Sequence, residues 1–294
     1  MHKQLPVMVL MGASMLWGLS WLPLKGINAM GIEGVALIFA AYGILSLALT
    51  PWLFRQIQVV RKHKKALFLI ALLGGGASLS FTYALINGEV IRVMVLFYLL
   101  PLWGVLGGRF FLKEEIDHWR WLGVVLALLG AFLILGGFEA LGGEASWIDL
   151  IALLSGLLFS LNNLVFRAAQ EVSVTSKIGA MFYGCFALAA LLLVVGAEAF
   201  PSDISGNAWS ALILYAFFWL LVANAGSQWS VTHMEAGRSS IIIILELITA
   251  VLSATLIAGE SMSVTEYVGG ALIVSAAFIE ALRTKEETIP KTTL

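Results

Sequence analysis

The sequence predicts an all-α integral membrane protein, with ten transmembrane helices arranged as two inverted five-helix repeats. Three observations predict it. Of the 294 residues, 60% are hydrophobic and only 12% are charged, where a soluble domain carries about 25% charged residues. Ten apolar segments are long enough to cross a bilayer, and the basic residues sort to one side of them. A β-barrel would show short alternating strands, but runs such as Leu150 to Leu158 do not alternate.

About 20 apolar residues cross the hydrocarbon core as a helix. The segments that qualify are 6–24, 33–53, 66–86, 91–108, 121–137, 148–166, 178–197, 209–230, 239–258 and 267–282. The first carries Trp17, Trp21 and Pro23 and no small-x-small cleavage site, so it reads as a retained helix that also targets the chain. The loops are short, which leaves no room for an inserted soluble domain. The expected organisation is a first repeat over 1–138, a second over 147–283 and a polar tail over 284–294.

Charge sets the direction. With the N-terminus in the cytoplasm, the inner segments hold Lys3, Arg55, Arg61, Lys62, Lys64, Lys65, Arg109, Lys113, Arg120, Arg167, Lys177, Arg238, Arg283, Lys285 and Lys291, which is 15 of the 17 basic residues. Only Lys25 and Arg92 fall outside, and the outer loops carry Glu139, Glu144, Glu198 and Asp203. This is the positive-inside bias of a multi-pass protein of the bacterial inner membrane, with both termini cytoplasmic. The net charge of −1 gives no bulk attraction to nucleic acid. The run from Arg61 to Lys65 reads instead as an anchor for anionic lipid. Lys25 and Arg92 read as partners of Glu33 and Glu89 or of lipid head groups.

The stretch from Arg92 to Phe132 matches that from Arg238 to Phe278 without a gap, at an offset of 146 residues. Arg92 falls on Arg238, Glu114 on Glu260, Gly123 on Gly269 and Ala131 on Ala277. Five spans per copy is an odd number, so the second copy enters the membrane inverted. Inverted repeats are characteristic of secondary transporters.

These residues resemble the drug/metabolite transporter superfamily, and within it the ten-helix EamA-type exporters. The resemblance covers nearly the whole chain. It rests on Trp17-Gly18 with Lys25, on Pro101 followed by Leu112-Lys113-Glu114 and Gly123, and on Ala236-Gly237-Arg238, Leu245-Glu246, Gly259-Glu260 and Gly269. It implies two bundled repeats around a cavity and export of metabolites, amino acids or drugs, driven by a proton gradient or by the solute's own gradient. Two positions depart from the pattern. Leu247 stands where the family often has proline, which predicts a less broken ninth helix, and Asn162-Asn163 is more polar than the usual run there.

Glu246 is the acid that stands in a span interior, eight residues past Arg238 and so about 12 Å along a helix. An ionised carboxylate at that depth costs at least about 2.5 kcal/mol. It is therefore protonated, paired or facing water, and reads as a proton-coupling or substrate-amine site or as an interhelical hydrogen bond. Polar and aromatic residues add a candidate cavity lining: Trp17, Trp21, Tyr42, Tyr83, Asn87, Tyr98, Asn162, Asn163, Tyr183, Asn224 and Gln228. Asn224 and Gln228 are four apart and share a helix face. Amides with aromatic rings suit an amphipathic organic solute such as an amino acid with an apolar side chain; ordinary interhelical bonding is the plainer alternative. Trp52, Trp119, Trp121, Trp147 and Trp209 lie near span ends and read as interfacial belts. Gly74-Gly75-Gly76 reads as close packing with some bending.

Enzyme signals are weak. The histidines (His2, His63, His118 and His233) lie at or beyond span ends, metal ligands do not cluster, and the single Cys185 excludes an internal disulfide. No cofactor is expected. A multidrug pump is the rival reading, and an intramembrane enzyme on lipid-linked substrates the rival of another class. Reporter fusions after Met1 and Leu294 should both register the cytoplasm; opposite faces would require an odd number of spans.

Overall fold

The computed structural model describes residues 4–87, 90–139, 146–196, 199–258 and 263–282, without the side chains of 85–87, 90–92, 254 and 258. Lys3, Glu89, Glu144, Glu198, Glu260 and the tail from Arg283 lie outside the described residues, as do the side chains of Asn87 and Arg92. No strand occurs among the described residues. Nine helical stretches among them are long and apolar enough to cross a membrane, and the fifth expected span, His118–Ile134, is a shorter apolar helix of 17 residues. The fold is an all-helical membrane fold of ten spans.

Prolines divide two of the spans. The first comprises α1 (Leu5–Gly18) and α2 (Trp21–Asn28). Pro23 has no N–H to give the Leu19 carbonyl and its ring crowds that carbonyl, so the helix breaks at Leu19 and Ser20. The second is α3 (Gly34–Arg55), followed by the short α4 (Ile57–Lys62); the third is α5 (Lys64–Asn87). The fourth comprises α6 (Val90–Phe97) and α7 (Leu100–Phe111), where Pro101 deprives the Phe97 carbonyl of its helical partner. The fifth, sixth and seventh are α8 (His118–Ile134), α9 (Trp147–Ala168) and α10 (Val174–Val194).

The eighth span joins α11 (Gly206–Tyr215) to α12 (Leu221–His233) through a π-helical turn at Ala216–Leu220. The ninth comprises α13 (Ala236–Ile243) and α14 (Leu245–Ala258), and the tenth is α15 (Val264–Leu282). The ninth helix, with Leu247 in place of proline, is interrupted at one residue against two in the fourth. Ile244 leaves the helix and its carbonyl takes the tighter bond from Leu247 N at 3.0 Å. Ile244 lies 146 residues after Tyr98, so the two interruptions coincide in the repeat alignment. Helices that start from polar loops are capped: Asp117, Ser146, Ser173 and Ser205 each accept a bond from the backbone N–H three residues on.

The packing brings α15 along α8, α5 against α9 and α10, α3 against α10, α1 against α12 and α14, and α7 against α9 and α13. Large apolar side chains such as Leu47, Phe54, Phe110, Phe218 and Phe278 face outward, as lipid requires. Trp52, Trp119, Trp121 and Trp147 are exposed, and Trp209 is partly buried against the core.

Glycines mark the closest crossings. A Cβ on Gly130 would stand 2.6 Å from the Gly269 carbonyl oxygen, and a Cβ on Gly269 equally close to that of Gly130. On the other flank, a Cβ on Gly75 would stand 2.6 Å from the Gly184 carbonyl carbon. Helix α5 runs unbroken through Gly74-Gly75-Gly76, so these glycines admit a neighbouring backbone. Gly184→Val should destabilise the fold by about 1–3 kcal/mol through overpacking and lower the melting temperature in detergent. Gly12→Val, at a site with nothing within 4 Å of the new Cβ, should leave it near wild type.

Candidate functional site

Glu246 lies in the first turn of α14, immediately past the interruption at Ile244. The unpaired N–H groups of a helix start favour an acceptor there. Its Oε1 accepts a 2.9 Å bond from the hydroxyl of Tyr98, which occupies the interruption between α6 and α7. The two broken spans are thus joined by a carboxyl and a phenol that each lie at or just past an interruption.

Alongside, a narrow crevice opens between α7, α9 and α13, lined among others by Gly104, Ser160, Asn163, Ser240 and Ile243. Gly104 leaves room for the Ser240 side chain. Gln228 Nε2 on α12 donates to Asn163 Oδ1 at 3.4 Å. Ser160 Oγ and Gln228 Oε1 are buried with no hydrogen-bond partner among the described residues. Leaving such groups without a partner is costly in a dry interior, so hydrogen-bonding capacity is left open along this strip.

The other candidates fall around this centre or away from it. Trp17 is half-buried against the core, and the adjacent Gly18 lets α1 press on the Glu246 backbone, where a Cβ would come within 2.7 Å of Thr249 Cβ. Trp21 Nε1 donates to Ser253 Oγ at 2.9 Å, tying α2 to α14. Tyr42 packs edge-on to Phe182 at 5.4 Å and interacts with the side chains of Ser78 and Asn224, while Asn224 Nδ2 donates to Leu220 O at 2.9 Å. Asn162 turns away from its neighbour, with Nδ2 3.9 Å from Met181 Sδ on α10. The Tyr183 hydroxyl bonds Thr50 Oγ1 between the second and seventh spans. Tyr83 is 47% exposed.

Sequence reasoning missed a second polar centre. Glu280, in the last turn of α15, is fully buried, so Glu246 is not alone among acids inside spans. Its Oε1 accepts bonds from Arg120 Nη2 at 2.9 Å and Nε at 3.2 Å. Arg120 Nη2 also bonds Glu235 Oε2, and its Nη1 stands 4.0 Å from Glu114 Oε2. Arg167 and Lys177 are likewise buried: Lys177 Nζ donates to Phe166 O at 2.7 Å and Thr232 Oγ1 at 2.9 Å, closing the end of α9. Four of the basic residues expected in aqueous loops (Arg120, Arg167, Lys177 and Arg238) therefore hold helix ends together. Arg55, Arg61, Lys62, Lys64, Lys65, Arg109 and Lys113 remain exposed. The one sequence signal for the buried set was the acids flanking apolar runs at Glu114, Glu235 and Glu280.

The pattern of the EamA-like transporter family matches residues 4–136 and again residues 146–281. The chain belongs to this family. Among bacterial relatives, this EamA-like transporter is 26% identical to the protein RarD of Salmonella typhi over 216 residues, 71% of this chain and 70% of that one. It is 24% identical to an uncharacterized transporter of Vibrio cholerae over 71% of this chain and 68% of that one. It is 21% identical to the uncharacterized transporter YoaV of Bacillus subtilis, over 92% and 94% of the two chains. A crystal structure superposes with a TM-score of 0.74 at 19% identity, over 94% of this chain and 97% of the other. That likeness concerns the fold. The EamA-like chain is a multi-pass membrane transporter of the drug/metabolite type.

Arg120→Ala should cost about 3–5 kcal/mol, because it strands buried carboxylates. Arg109→Ala, at an exposed position of α7, should change little. Thermal unfolding of the two variants in the same detergent checks the contrast.

Proposed function

We propose that this EamA-like transporter is a secondary exporter of the bacterial inner membrane that moves a small amphipathic organic solute by alternating access. The observation that carries the reading is the Tyr98–Glu246 bond between the interruptions of the fourth and ninth spans, beside the crevice lined by Ser160 and Asn163. A broken helix at mid-membrane depth is tolerated only where it is buried or lines a cavity.

The packing supports two inverted repeats, 1–138 and 147–283. The third span packs on the sixth as the first packs on the eighth, and the fourth meets the sixth as the first meets the ninth. Exchanging each span with the one five places away reproduces these contacts. The double match of the family pattern supports the same division. The basic residues of the short loops support cytoplasmic termini, and the bacterial relatives support the inner membrane.

In this reading Glu246 exchanges a proton or receives the solute's amine, with Tyr98 orienting the carboxyl. The amides and hydroxyls of Asn163, Gln228 and Ser160 meet the polar end of the solute, and Phe159 beside them meets the apolar end. An amino acid with an apolar side chain has this chemistry.

Purified protein in liposomes should accelerate the flux of such solutes, faster with an imposed pH gradient. Glu246→Gln should remove the dependence on the gradient and reduce flux by at least about tenfold. Flux in that variant that still tracks the gradient as in wild type excludes Glu246 from coupling.

A further inference from the structure

The first span is built in two unequal parts. α1 lies along α12 and α14, and a Cβ on its last residue, Gly18, would stand 2.7 Å from Thr249 Cβ and 2.9 Å from Ala250 N. Beyond the break at Leu19 and Ser20, α2 is held lightly. Of its eight residues only Ile27 is buried, while Lys25, Gly26 and Asn28 are exposed, and its main packing neighbour is α11.

Two indole N–H groups mark the two sides of the break. The turn sends Ser20 N to the Trp17 carbonyl at 3.0 Å, so the Leu16 carbonyl loses its helical donor. Trp219 Nε1, from the π-helical turn of the eighth span, donates to the Leu16 carbonyl at 3.0 Å and fixes the end of α1. Across the break, Trp21 Nε1 at the start of α2 donates to Ser253 Oγ on α14 at 2.9 Å. Ser253 Oγ in turn donates to Ala250 O at 2.9 Å.

The course of the ninth span gives these contacts a direction. It starts beside Glu235, which Arg120 bonds, reaches Glu246 past the interruption, and continues to Ala258. Residues after Glu246 therefore lie on its far side from the Arg120 cluster. Glu246, Ala250 and Ser253 are spaced i, i+4, i+7 and share one helix face. Gly18 meets that face at Ala250, and Trp21 meets it at Ser253, about 10 Å beyond Glu246 along the axis. Ser253 is buried there, whereas Glu246 and Ala250 are half-buried. The sixth span, counterpart of the first in the two-repeat reading, is one unbroken helix from Trp147 to Ala168. A joint of this kind thus stands on one side of Glu246.

We propose that α2 is the gate on the side of Glu246 away from the Arg120 cluster: it swings about Leu19–Ser20, and the Trp21–Ser253 bond is its latch. The inference rests on the alternating-access reading above and names the element that opens one of its two routes. When the gate is shut, the Trp21 indole covers the Glu246 face of α14 at Ser253. Opening leaves α1 in place, since Trp219 holds it, and turns the Trp21 N–H and the Ser253 hydroxyl to water. Water replaces their bond, so the cost is that of one exchanged hydrogen bond and the swing is reversible.

Two solute-free measurements on the full-length protein in nanodiscs test this, so the gate can fail while proton-dependent flux in liposomes holds, and the reverse. Spin labels on Asn28→Cys and Leu256→Cys, both exposed positions, report the separation of α2 from α14. Wild type should show a main short distance and a minor longer one. Ser253→Ala and Trp21→Phe remove the bond and should each raise the ratio of long to short about fivefold, the worth of one hydrogen bond. Ala250→Cys should react with a charged, water-soluble thiol reagent faster by the same factor when Ser253→Ala is added. A distance ratio that neither variant moves, or a reaction rate at position 250 that Ser253→Ala leaves unchanged, overturns the proposal. A single fixed distance in the labelled protein without either variant also overturns it, whether or not the variants fold.

Discussion

The lack of water in the hydrocarbon core is the constraint on which this architecture depends. Each backbone N–H and C=O there needs a partner inside the protein, so the spans are helical and their breaks are confined to protected places. Each charge there needs a counter-charge or a proton. The three helix breaks at Leu19–Ser20, Tyr98–Leu99 and Ile244 lie within the bundle. Two of the carbonyls there take bonds from three residues on, Leu19 O from Leu22 N at 3.1 Å and Ile244 O from Leu247 N at 3.0 Å, and glycines let neighbouring helices close in. Gly18 brings α1 onto the Glu246 backbone, and Gly156 of α9 approaches the Phe97 carbonyl that Pro101 releases, with its Cβ position 2.7 Å away.

The same constraint explains why polar chemistry is concentrated at two levels. At mid-depth, Tyr98 and Glu246 share one bond, and Asn163 and Gln228 share another. At one end, Arg120 gathers Glu235 and Glu280, while Lys177 and Arg167 satisfy carbonyls at the ends of α9 and α12. Helix α13 connects the levels: its N-terminus bonds Glu114, its middle lines the crevice, and its end leads to Glu246. This helix, eight residues long, thus touches both levels.

Glycine sets which helix crossings are fixed by backbone contact. The α8–α15 pair crosses at Gly130 and Gly269 and the α5–α10 pair at Gly75 and Gly184, with backbones in contact. Such crossings fix two flanks of the bundle. The α7–α13 crossing is also glycine-lined, at Gly104, Gly108 and Gly237, but side chains of Ser240, Glu114 and Arg120 fill it. Side chains can rearrange where backbone-on-backbone contacts cannot, which makes this junction the adaptable one.

Much of this was legible in the residue order, because hydropathy, loop charge and a repeat offset are one-dimensional properties that a bilayer reads directly. The apolar runs determined the spans, the basic loops their expected direction, and Arg92-to-Phe132 against Arg238-to-Phe278 the internal repeat. Glu246 stood out by depth alone. Its partner Tyr98 was one aromatic among many, and only packing chose it, since the two lie 148 residues apart. Leu247 predicted a less broken ninth span; the interruption there is one residue, Ile244, against two, Tyr98 and Leu99, in the fourth. Arg120, Arg167, Lys177 and Arg238 read as loop cations because a sequence records where a charge sits along the chain. Whether it meets water or three carboxyls depends on which helix ends the tertiary fold brings together.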